Sequence, residues 1–193
     1  MKKSIALVMM AVLLVAASVM GTLAFLTSTD AVENTFTVGK VAITLDEAKV
    51  NEYGEADTSA SRVKKNTYKL IPGHEYTKDP TVHFAAGSEA SWLFVKVENG
   101  IAAIEADTTI ANQITANGWT ALTGVDGVTG VYYREVDANT TTDAINYPVF
   151  GTFKLKGDAN VSKYENAAVK VTAYAIQADG FTTAAAAWAE VSK

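Results

Sequence analysis

Apolar and polar positions change pattern twice along the chain. From Ile5 to Leu26 the sequence is almost unbroken Ala, Val, Leu and Met, interrupted by Ser18, Gly21 and Thr22. Beyond it the period falls to two. Phe36 and Val38 alternate with Thr35 and Thr37, and Val41, Ile43 and Leu45 alternate with Lys40, Ala42 and Thr44. Alternation rich in β-branched residues is the mark of a half-buried strand. Further strands are expected at Tyr76–Phe84, with Pro80 confined to an edge or bulge, and at Ser91–Glu98, where Leu93, Val95 and Val97 share a face. Trp119, Val131–Val136, Val149–Leu155 and Ala168–Gln177 supply the rest.

Helical spacing is confined to two places. Ile101, Ile104, Ile110 and Ile114 recur at roughly helical intervals, so a short helix is expected within Ile101–Ala116. The Ala-rich tail Phe181–Val191, with Trp188, predicts another after Gly180. Asp46–Arg62 is polar and reads as a loop or hairpin tip, Pro72-Gly73 as a turn, and Asp137–Asn146 as an Asn/Thr-rich connection. Seven or eight short strands with one or two short helices predict an all-β, jelly-roll-like antiparallel sandwich in a single domain.

The first segment carries an export reading. Lys2 and Lys3 precede the apolar run, and small residues at Thr22 and Ala24 stand before Phe25. Charge, apolar run and small residues make a secretory signal peptide, residues 1–24, cut at Ala24–Phe25. Ala16-Ala17-Ser18 offers a second cut. An uncleaved anchor is the competing reading, since ~20 apolar residues span a bilayer. No basic cluster follows the run, however; the next charged residue is Asp30. Cleavage would leave 25–193 as the folded domain, secreted and in contact with the membrane only before the cut.

Charge narrows the partners. The whole chain carries −5, and removing 1–24 takes away two Lys and no acid, which makes the mature chain more acidic still. Phosphate binding needs clustered Lys and Arg, so nucleic acid is not an expected partner. Arg62, Lys64 and Lys65 form the one basic cluster and read as a solvated hairpin. With no cysteine, stability has to come from core burial without disulfides, which suits Gram-positive secretion.

Candidate chemistry is sparse. His74-Glu75 begins like a zinc-peptidase helix motif, but Lys78 occupies the position where the second His belongs. His83 lies at an odd offset from His74, on the opposite face of an extended chain. Asp137, Asn139, Thr141 and Asp143 alternate oxygen ligands like the start of a calcium loop, yet Thr142 and Pro148 stand where Gly and Glu are required. Zinc at His74, Glu75 and His83, or calcium at the later loop, is thus a weak candidate, and no cofactor is expected. Acidic pairs such as Asp46-Glu47 read as solvated surface. Trp92, Trp119 and Trp188 are scattered and read as packing residues. No nucleophile arrangement is visible.

The residues GTLAFLTSTDAVENTFTVGKVAITLDEA, from Gly21 onward, resemble the amino-terminal signature of the TasA/camelysin family, whose signal peptides are cut by the signal peptidase SipW. The matching pieces are Gly-Thr-x-Ala at the cut and Asn34-Thr35-Phe36-Thr37-Val38-Gly39-Lys40-Val41. Leu70-Ile71-Pro72-Gly73-His74 with Thr77-Lys78-Asp79-Pro80 makes a second block, and Ala173–Phe181 a third. The resemblance implies a jelly-roll sandwich, export to the surface and, as in TasA, assembly into biofilm-matrix fibres, with the chain itself or other matrix proteins as partners. It also implies a mature amino-terminal segment that adds a strand to its neighbour. Here that segment is 25–38, with Phe25, Leu26, Val32, Phe36 and Val38 as its strand-forming side chains. A camelysin-like metallopeptidase is a further implication, for which the two histidines lack the usual spacing. A monomeric surface binding module is the remaining alternative.

Overall fold

The computed structural model describes Met9–Met10 and residues 39–193. The signal segment 1–24, the cleavage residues Thr22, Ala24 and Phe25, and the strand-donor residues Phe25, Leu26, Val32, Phe36 and Val38 lie outside the described residues. Among the described residues no helix is long and apolar enough to cross a membrane.

Among the described residues nine strands form three antiparallel sheets. They are β1 (Ile43–Asp46), β2 (Glu75–Thr77), β3 (Thr81–Phe84), β4 (Ser91–Asn99), β5 (Thr120–Ala121), β6 (Val131–Val136), β7 (Ile145–Pro148), β8 (Thr152–Lys154) and β9 (Val169–Gln177). Two short α-helices, α1 (Ile110–Ala116) and α2 (Ala184–Val191), accompany them within residues 39–193. The sheet orders are β1-β3-β7, β2-β8 and β5-β6-β4-β9. This is an all-β antiparallel sandwich.

The pairings are nested. Glu75 faces Lys154, Thr81 faces Pro148, and Ser91 faces Val136, so β2–β3–β4 run outward against β6–β7–β8 coming back. The register of β2·β8 continues unchanged into β3·β7 through two bonds in the gap, Lys78 N–H to Gly151 O (3.0 Å) and Val149 N–H to Pro80 O (2.8 Å). The chain is thus one long hairpin wound over itself, the jelly-roll principle. The expected single strand Tyr76–Phe84 is broken at Lys78–Pro80, where Pro80 has no N–H to donate. Its partner, expected as Val149–Leu155, breaks at the same level, and Ile145–Pro148 inside and beyond the expected loop is a strand. Both breaks mark the crossing of the hairpin from one sheet to another.

β4 explains the layering. Its near-continuous apolar run SWLFVKVEN buries both faces, as a central strand covered on each side requires. Leu93, Val95 and Val97 join Tyr76, Val82, Phe84 and Phe153 in a core between the sheets. Trp92 and Phe94 point the other way, into a second core closed by Ala184, Ala187 and Trp188 of α2. The isoleucines expected to share a helical stripe are all buried. Ile101 and Ile104 flank a single 3₁₀ turn, though, and only Ile110 and Ile114 belong to α1. Both helices begin with a threonine N-cap, Thr109 accepting from Asn112 N–H and Thr183 from Ala186 N–H, each at 3.2 Å.

Candidate functional site: an open cleft beside a buried ion pair

Two strands end their sheets side by side. Among the described residues β1 has β3 as its one neighbour, and β9 has β4. Whereas β4 is buried along most of its length, β1 and the inward side chains of β9 are only half-buried. Between them and the segment 63–70 opens a cleft of about 1010 Å³. Leu45, Leu70, Ile101, Phe153 and Val171 give it an apolar floor, and Lys64, Lys65 and Lys170 stand on its rim.

The wall 63–70 is pinned from several sides. Pro72-Gly73 forms the expected turn, with Gly73 at φ +77° and His74 N–H donating to Ile71 O (3.2 Å). That left-handed backbone is the position for which glycine is suited. Behind it Tyr76 stacks on Phe153 at 4.7 Å, and Tyr68 meets both rings edge-on. The Tyr68 hydroxyl donates to Thr77 O (3.0 Å). Burial, and then the charge of Glu47, push the Tyr68 phenol well above its ordinary value, so it stays a neutral donor.

Glu47 is the polar centre of the site. It is 5 % exposed, although Asp46-Glu47 in sequence resembles solvated surface. The two acids diverge because consecutive residues of an extended chain point to opposite sides. One Glu47 oxygen accepts from Lys78 Nζ (2.5 Å) and the other from Asn66 Nδ2 (3.0 Å). The Asn66 amide also donates to Ala48 O (2.8 Å), while its oxygen accepts Val50 N–H (3.1 Å).

Asp46 faces the other way and joins a second network. Arg62 Nε donates to Asp46 (2.5 Å) and its Nη1 to Asp79 (2.9 Å), and it also reaches two backbone oxygens and Thr81 Oγ1. Burial works to raise the Asp46 carboxyl, but the hydrogen bonds and charges of Arg62 and His83 outweigh it and hold the group below its ordinary value. Arg62 is therefore a staple across β1 and the β2–β3 connection rather than a free cation on a solvated hairpin. The 46–63 excursion is a hairpin-like loop, closed by the Glu47–Val63 bridge.

The residues proposed from sequence for metals are dispersed into separate roles. His74 Nε2 lies 2.9 Å from Tyr53 O, and its ring packs edge-on to Tyr76. His83 sits between Asp46 (2.8 Å) and Asn146 (2.6 Å) on β3, and Glu75 is exposed on β2. In the Asp137–Asp143 loop, Asn139 is 1 % exposed and spends its amide on Phe84 O, Asp143 O and Thr141. The loop docks on the β3–β4 turn and is not simply solvated. Among the described residues no three His, Cys, Asp or Glu side chains are grouped to hold a metal ion. Glu47, Asn66, Lys78 and Tyr68 were not legible as a set, since the fold alone brings together positions separated by up to 31 residues.

No protein-family model, no curated protein and no solved structure matches the chain.

Proposed function

We propose that the chain is a secreted structural subunit of cell-surface or biofilm-matrix fibres, polymerising when the mature terminus 25–38 of one copy adds as a strand to another. The observation that carries the reading is the cleft flanked by β1 and β9, strands with one neighbour each among the described residues. An exposed edge offers unpaired backbone groups to an incoming strand, and a groove beside it takes alternate side chains. The segment 25–38 fits by composition. Its apolar residues Phe25, Leu26, Val32, Phe36 and Val38 suit the apolar floor, and Asp30 and Glu33, its only charges, suit a rim where Lys64 and Lys65 outnumber Glu165 and Lys170 is shared with Glu98.

Until signal peptidase, SipW in the resemblance, cuts Ala24–Phe25, the apolar segment holds that terminus at the membrane. Cleavage thereby licenses assembly. Negative-stain microscopy of the mature protein tests the reading. Filaments are expected from chains beginning at Phe25, and folded monomers alone from chains lacking Phe25–Glu33. Monomers at every concentration and pH with an intact terminus would leave the alternative, a surface binding module using the same cleft. Terminal sequencing of the secreted protein decides between a cut chain and an anchored one.

A further inference from the structure

We propose that Lys78 and Asn66 become joined by an intramolecular isopeptide bond, formed autocatalytically with Glu47 as the proton-transfer group. Amine, carboxamide and carboxyl already meet in one place. Lys78 Nζ and Asn66 Nδ2 occupy the two oxygens of the single Glu47 carboxylate, at 2.5 Å and 3.0 Å. The Lys78 and Glu47 side chains are 11 % and 7 % exposed. Leu45, Tyr68, Leu70, Pro80 and Phe153 line the same cleft and thin the water around the reacting atoms. Holding amine and amide on one carboxylate replaces a bimolecular encounter with an intramolecular one.

The electrophile is also prepared. Asn66 Oδ1 accepts the Val50 backbone N–H at 3.1 Å, a fixed donor placed where negative charge develops as the carbonyl is attacked. Glu47 takes a proton from the Lys78 ammonium, and the Nζ lone pair attacks Asn66 Cγ as the flexible lysine tip swings between the carboxylate oxygens. The tetrahedral centre collapses with cleavage of the Cγ–Nδ2 bond. Glu47 returns the proton to the leaving nitrogen, and the second proton from Nζ follows it, so ammonium departs through the open cleft. One C–N bond forms and one breaks, nothing is oxidised, and Glu47 ends as it began. The product is a secondary amide tying the wall 63–70 to the β2–β3 crossing. It is independent of whether the chain polymerises.

Mass spectrometry of the folded full chain reads the bond directly. A protein lighter by one ammonia is expected. Trypsin should release Asn66–Lys69 still joined to Leu70–Lys96, with Lys78 uncut because its amine is acylated. Lys78→Arg keeps the cation without a usable nucleophile, and Glu47→Ala removes the proton carrier; both should restore the full mass and separate the peptides. Free Asn66–Lys69 and Leu70–Lys78 from the folded wild-type chain would overturn the proposal. So would an ammonia loss mapping to Asn99-Gly100 or Asn117-Gly118, where ring closure onto the backbone sheds the same mass. The wild-type digest decides the matter even if Glu47→Ala fails to fold.

Discussion

Single side chains set how the sandwich responds to pH, and two carboxyls pull in opposite directions. Asp46 is held below its ordinary 3.8 by Arg62 and His83. Its stabilising contribution is complete above that value and disappears as pH falls through the depressed folded value. Arg62→Ala should therefore cost about 1–2 kcal/mol at neutral pH, with the difference from wild type shrinking in acid, as measured by urea unfolding. Glu105 behaves inversely. It is 5 % exposed and among the described residues has no cation in hydrogen-bonding contact, and burial raises it above its ordinary 4.5 despite help from Asn99 and Ile110 N–H. The ionised form is a burden to the fold that eases as pH falls through the raised value. Glu105→Gln should raise the midpoint of unfolding at pH 7 and lose that advantage toward pH 4.5. A third residue is constrained by backbone. Gly130 sits at φ +66°, and a Cβ there would lie 2.4 Å from Val97 O. Gly130→Ala should cost more than about 1 kcal/mol, since both the conformation and the contact exclude a side chain.

At the scale of elements, legibility followed the locality of the signal. The run SWLFVKVE and the alternation in AVKVTAYAIQ placed β4 and β9 within a residue or two, because each pattern lies wholly inside its strand. The tail helix was readable from its composition, and Trp188 proves to be its anchor against Phe94 at 5.3 Å and Tyr174 at 5.2 Å. Trp188→Ala should destabilise the protein by about 3–5 kcal/mol and speed hydrogen exchange in α2 first. What failed to show was governed by distant partners. Ile145–Pro148 is a strand because β3 lies beside it, not because INYP alternates strongly. Glu47 gave no sign of burial, as its partners Asn66 and Lys78 lie 19 and 31 residues away. His74-Glu75 opens like a zinc-peptidase pattern that Lys78 breaks, and in the fold the two side chains serve a turn and an exposed strand.

Across residues 39–193 one side is closed and another carries a cleft. α2 covers the outer face of the larger sheet, while the β1 and β9 side holds a cleft with a charged rim. A synthetic peptide of residues 25–38 should bind the chain lacking Phe25–Glu33 and should bind less well when Lys64 and Lys65 are replaced by Glu, as read by fluorescence anisotropy at low salt. Rising ionic strength should weaken that binding, since the rim charges are exposed and screened.

The nested hairpin has a consequence in time. β4 is the strand on which both cores are built, yet one of its neighbours, Val169–Gln177, lies near the end of the chain, and its other, Val131–Val136, follows a long excursion. Pairings of such long sequence separation form slowly and only after costly loop closure. The central strand gains its first partner only with Val131–Val136, and both flanks are covered only once Val169–Gln177 and α2 are present. With β6 alone in place β4 is paired on one flank only, so both cores stay open until β9 and α2 join.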